Sequence, residues 1–138
     1  MYSFVRFRIG SYEDMPLLSL KTSVESLETI VFKATAYAQT AIEKSVNTDY
    51  VLTQDQSAAI CLYTMKWKSD DQSLSARLND ALRSKDRSKL TPYLSYLKLF
   101  LSGLSKLKSV RNTVWRGVKE DLSEEYPRGK IVTWWGFR

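Results

Sequence analysis

The sequence predicts an α+β fold, with about four helices over residues 1–110 and two short strands within 111–138. Three observations lead there. Apolar residues recur at three-and-four spacing from Leu20 to Leu107, the signature of one helix face. Turn-forming and capping residues cut that pattern into separate runs. Beyond Arg111 the period changes, and β-branched and aromatic residues crowd together.

The first helix follows the Met15-Pro16 turn. Leu20, Val24, Leu27, Val31, Ala34, Ala38 and Ala41 share one face of a single long amphipathic helix, which Asn47-Thr48-Asp49 ends. A second helix opens at Thr53. Gln56 lies three residues on, so the pair reads as a capping box, in which each side chain satisfies the other residue's free backbone amide. Ala59, Leu62, Tyr63 and Trp67 form its apolar face. Ser69-Asp70-Asp71 breaks the chain and caps a third helix with Leu74, Leu78 and Leu82 on one stripe. The charged run from Arg83 to Lys89 reads as a loop. A fourth helix starts near Pro92, whose fixed φ suits a first turn, and turns Tyr93, Leu97, Phe100 or Leu101, Leu104 and Leu107 inward. Gly103 weakens that helix locally.

The tail is different. Thr113-Val114-Trp115-Arg116-Gly117-Val118 reads as a strand, the segment Leu122 to Lys130 as a polar loop, and Ile131 to Phe137 as a second strand. Two strands alone are marginal in water. The expectation is therefore a single incomplete domain: a helical subdomain over 1–110 and a hairpin-like strand pair over 111–138, apparently truncated after Arg138.

Composition narrows the chemistry. With 138 residues and 43% apolar content the chain can bury one core. It has no histidine, which excludes His-based acid–base chemistry and the common zinc sites. Its single cysteine, Cys61, forms no internal disulfide and is compatible with a cytoplasmic setting; it reads as a core residue. No apolar run is long enough for a membrane span, and the start, MYSFVRFRIG, does not read as a signal peptide. The net charge of +6 is uneven: residues 77–119 hold eleven Lys/Arg against two Asp/Glu. Such a segment either attracts phosphate or is a solvated helical surface. No nucleic-acid motif accompanies it, so no nucleic-acid partner is expected. Tyr93, Tyr96 and Phe100 stand at helical spacing and read as core rather than as a stacking platform.

Arg116 puts a permanent charge inside an apolar run. Its planar fork of donors suits phosphate or ribose oxygens, and it equally suits a carboxylate at a sheet edge. Gly117 beside it lets a ligand approach the backbone.

Three stretches, LTQDQSAAICLYTMKW, TVWRGVKEDLSEEYPRGK and IVTWWGF, occur in this order. Together with the earlier IGSYEDMPLLSL they resemble the arginine-specific mono-ADP-ribosyltransferases of the Arg-Ser-Glu class, over nearly the whole chain. The resemblance implies a helical subdomain preceding a β-core that binds NAD as substrate and transfers ADP-ribose to a protein arginine. It implies that Arg116, with Gly117, contacts the dinucleotide. It also exposes departures. Arg138 stands where the family's serine is expected, and the catalytic Glu-x-Glu has no counterpart; Glu124-Glu125 lacks its spacing. No catalytic residue is therefore identified, and no metal site. The competing expectation is a non-catalytic paralogue acting as a helical protein-interaction module.

Overall fold

The computed structural model describes residues 11–46, 51–68, 73–109, 111–113, 117, 119, 121–124 and 126–131. A 3-10 turn at Ser11–Asp14 leads into α1 (Leu20–Glu25), α2 (Ala34–Lys44), α3 (Gln54–Thr64), α4 (Leu74–Arg83), a second 3-10 segment (Arg87–Tyr93) and α5 (Leu94–Lys106). Four helices form a ring: α1 packs on α2, α2 on α3, α3 on α5, and α5 back on α1. α4 lies outside the ring, against α3 and the second 3-10 segment. The shared core runs from Tyr12 to Leu99.

The expected long first helix is two helices. The seven apolar positions from Leu20 to Ala41 are all buried, as their spacing predicts. The backbone between Ser26 and Lys33 nevertheless turns out of the helix. Thr29-Ile30-Val31 is a β-branched run, whose stiff side chains weaken a helix at that point. Lys33 then takes a left-handed conformation at φ 59°, which an L-residue other than glycine seldom adopts. Glu28 fixes the turn. Its carboxylate accepts from the Thr35 amide at 2.8 Å and the Thr35 hydroxyl at 2.6 Å. It thereby caps the first turn of α2, where Lys33 offers no side-chain cap. The Thr35 hydroxyl, followed by its amide, holds the Glu28 carboxyl below its ordinary range.

The capping box at α3 is present as the sequence predicts. The Thr53 hydroxyl accepts from the Gln56 amide, and Gln56 Oε1 accepts from the Thr53 amide. α4 is capped by Ser73, whose hydroxyl accepts from the Ala76 amide; Ser69-Asp70-Asp71, the expected cap, lies outside the described residues. The expected loop from Arg83 to Lys89 is partly ordered as the start of the 3-10 segment, with Asp86 as its cap. Pro92 sits in that segment rather than in the first turn of α5.

α5 departs from the expectation at Leu99 and Leu107. Tyr93, Tyr96 and Leu97 are buried and Phe100 and Leu101 pack on the core, as expected, but Leu99 is buried as well and Leu107 is exposed. Leu99 comes inward because Gly103, one turn on, lies against α3. A Cβ added at Gly103 would stand 3.2 Å from Gln56 Cβ and 3.4 Å from Ile60 Cδ1. The glycine that looked like a weak point is what lets the two helices approach.

The expected α+β class is corrected: the described residues form helices, with no strand among them. Thr113, Gly117 and Ile131 belong to the two expected strands and carry no strand pairing. The rest of both runs lies outside the described residues. A residue run rich in Val, Ile and Trp becomes a strand only when a neighbour takes up its backbone hydrogen bonds. Ile131 is wholly exposed, with nothing packed on it.

The close contact at Gly103 yields a stability prediction. Ala is the better helix former by about 1 kcal/mol, yet Gly103→Ala lowers stability by about 1–3 kcal/mol. Its methyl meets the base of a side chain that hydrogen bonds hold at both ends. Urea denaturation of the two proteins measures this; a stabilised variant would show that α3 and α5 separate freely.

Candidate functional site

Arg116, the residue on which the sequence-based site rests, lies outside the described residues. Gly117 is described. It is exposed, and a Cβ placed on it would meet no atom within 4 Å. The segment after it turns back on itself at Asp121 and again at Gly129. The Asp121 carboxylate accepts from the Ser123 amide at 2.9 Å. The Ser123 hydroxyl and amide together hold that carboxyl below its ordinary range. The Tyr126 amide donates to the Leu122 carbonyl, and the Lys130 amide to the Pro127 carbonyl. Gly129 takes φ 81° in this second turn, the position of a type II turn that favours glycine. The stretch expected as a polar loop is thus a pair of tight turns, with Asp121 and Glu124 in water. Glu125 lies outside the described residues, as do Trp134 and Trp135.

The basic stretch does not gather into one phosphate-binding cluster among the described residues. Four of its cations are tied into separate local contacts. Arg83 pairs with Asp80 across one helical turn at 2.7 Å, both exposed, a pair of small net value in water. Arg87 Nη1 donates to the Leu82 and Ser84 carbonyls at 3.0 and 3.1 Å, closing the end of α4. Lys98 Nζ donates to the Glu13 carbonyl at 3.1 Å. Lys106 Nζ donates to Gln56 Oε1 at 2.8 Å.

The aromatic cluster is core. Tyr96 is fully buried, and its hydroxyl donates to the Ala59 carbonyl at 2.7 Å. Phe100 stacks between Tyr63 and Tyr96, with centroids at 4.9 and 5.7 Å. The Tyr63 hydroxyl donates to Asn79 Oδ1, tying α4 onto α3. Cys61 packs half-buried against the same core, as its setting in an apolar helix predicts. Burial pushes the Tyr96 hydroxyl well above its ordinary range and, with smaller opposing effects from Arg77 and Asp80, raises Tyr93.

Spacing missed Gln56. Its capping role is visible in the sequence, but its burial and its reach to α5 are not. The amide Nε2 donates to Ser102 Oγ at 3.2 Å, while Oε1 serves Thr53 and Lys106. No signal in one sequence separates a capping glutamine in water from one that crosses to another helix.

Among the described residues no group of three or more His, Cys, Asp or Glu could hold a metal ion, and no helix is long and apolar enough to cross a membrane. Compared with family models, with curated proteins and with solved structures, the chain finds no match.

The buried tyrosine gives a pH prediction. The folded-state pKa of Tyr96 lies above the unfolded one, so its contribution is intact below pH ~10 and is lost as pH rises beyond that toward the folded value. Tyr96→Phe lowers stability at neutral pH by about 1 kcal/mol through the lost hydrogen bond, and the variant loses less stability than the parent between pH ~9 and ~11. Thermal melts across that range measure the difference. Parallel losses in both proteins would mean that Tyr96 is not the group that titrates.

Proposed function

We propose that this chain takes part in NAD-dependent ADP-ribosyl transfer to protein arginine, its own contribution being to hold NAD through Arg116 beside Gly117. What carries the reading is the order of Val114-Trp115-Arg116-Gly117-Val118 and Ile131-Val132-Thr133-Trp134-Trp135-Gly136-Phe137 after a helical region. The open surroundings of Gly117 are compatible with a ligand at the backbone. A guanidinium there meets the pyrophosphate with charge-assisted, paired hydrogen bonds. Breaking the nicotinamide–ribose bond builds positive charge on the ribose, and a carboxylate beside that carbon is what stabilises it. The 138 residues contain no Glu-x-Glu, so binding, and not the bond-breaking step, is the role assigned to them.

A second reading has its own observation. The described core from Tyr12 to Leu99 is built by the helices and the segments that join them, as in a helical module that engages a protein without chemistry.

Calorimetric titration with NAD separates the two. The first reading expects binding that Arg116→Leu weakens by roughly 10- to 150-fold, the loss of a charge-assisted contact worth about 1.5–3 kcal/mol. It also expects no enzyme-dependent labelling of an arginine-rich acceptor by the 138-residue chain. A chain that unfolds cooperatively but takes up no NAD favours the module. Transfer that disappears in Arg116→Leu would show that a carboxylate outside the Glu-x-Glu pattern performs the chemistry.

A further inference from the structure

Three contacts bring four helix ends together. The Leu20 amide at the start of α1 donates to Asp55 Oδ1 in the first turn of α3. Gln54 Nε2, also in that turn, donates to the Ile42 carbonyl near the end of α2. Lys106 Nζ, at the end of α5, donates to Gln56 Oε1. The start of α1, the end of α2, the start of α3 and the end of α5 therefore share one end of the ring. Of the large apolar side chains exposed among the described residues, Leu17, Val46, Val51 and Leu107 flank this end, 46–67% exposed. Lys21, Lys44, Lys108 and Arg111 stand beside them, all exposed. The described carboxylates there are Asp55, which accepts from the Leu20 amide, and Glu43, which accepts from Gln39 Nε2 at 3.1 Å; they are two against four cations. The segment carrying Glu13 and Asp14 is held two turns back along α5, where Lys98 donates to the Glu13 carbonyl.

We propose that this end of the ring is a docking surface for an anionic lipid bilayer. Apolar side chains at the ends of several helices can enter the headgroup region together, while lysines beside them keep their ammonium groups among lipid phosphates and carboxylates. The cationic rim chooses among membrane surfaces: each lysine near an anionic leaflet adds attraction that falls off within a Debye length. A protein partner with an acidic, concave apolar surface is the competing occupant. The meeting of four helix ends and the excess of cations over carboxylates there favour the planar anionic surface.

Sedimentation of the full 138-residue chain with vesicles tests this, using phosphatidylcholine alone and phosphatidylcholine with phosphatidylserine. The chain is expected to pellet with the serine-containing vesicles only, and less as salt is raised. Val46→Asp with Leu107→Asp, and separately Lys44→Gln with Lys108→Gln, are each expected to weaken pelleting about tenfold or more. Circular dichroism melts confirm that each variant is folded; the lysine pair carries the test if the apolar pair is not. No pelleting overturns the proposal. So does binding that survives both pairs, since the membrane-facing surface would then lie elsewhere on the chain. Self-association of the parent that either pair abolishes assigns the surface to a second copy and also overturns it.

Discussion

The structure depends on what Gln56 does at the start of α3. It is the third residue of the helix and belongs to a capping box, so its side chain would ordinarily fold back along its own first turn. Here it is 2% exposed and reaches further. One oxygen accepts from both the Thr53 amide and the Lys106 ammonium, and its nitrogen donates to Ser102. A buried amide left unpaired is costly, and one fully paired fixes a single arrangement. The same residue that starts α3 therefore sets where α5 passes it. Gly103 completes the arrangement by leaving room for the Gln56 Cβ. A larger residue there would push α5 away and stretch both contacts to its last turn.

From that crossing the rest follows in two directions. Toward the other end of α5, the close approach brings Tyr96 onto the Ala59 carbonyl and lets Phe100 stack between Tyr63 and Tyr96. Asn79 then receives the Tyr63 hydroxyl and seats α4. Across the ring, the neighbouring Asp55 completes the start of α1 by accepting from Leu20. Small residues on α2 and α3 (Ala34, Ala38, Ala41, Ala58 and Ala59) are buried between the helices, which keeps the backbones near. The Tyr63–Phe100–Tyr96 stack fills the α3–α5 side, and on the α2–α3 side the small residues are joined by the buried Trp67, stacked on Tyr37 of α2 with centroids at 3.9 Å.

Much of this was legible because helical burial follows period. The seven positions from Leu20 to Ala41 are buried even though the helix carrying them breaks, since the turn at Ser26–Lys33 returns Leu27 and Val31 to the core. The break itself was not legible: it depends on Glu28 bonding to Thr35, seven residues on, and on a left-handed lysine where glycine is the usual signal. The burial of Leu99 was hidden for a related reason. A stripe through Leu99 and Gly103 differs from the expected one by a fraction of a turn, and the contact of Gly103 with α3 decides between them. The strand expectation failed differently. Local composition can favour an extended chain, but pairing is a property of two segments, and the described residues around Gly117 and Ile131 have no paired neighbour. Of the candidate site, the motif at Arg116 is a sequence feature, and only its glycine is among the described residues. The network at Gln56 shows up only once two helices are packed.

A double-mutant cycle on Gln56 and Lys106 tests the central claim most directly. If Gln56 joins the cap of α3 to the last turn of α5, Gln56→Ala lowers unfolding free energy by about 2–4 kcal/mol, through the lost cap, the lost bonds and the vacated volume. Lys106→Met alone has a smaller effect, because its ammonium is partly in water. The double variant should then be more stable than the sum of the single losses implies, with a coupling of about 0.5–1.5 kcal/mol. Additive losses, with Gln56→Ala reducing stability by no more than a cap alone (about 1 kcal/mol), would contradict the account and leave the position of α5 to apolar packing.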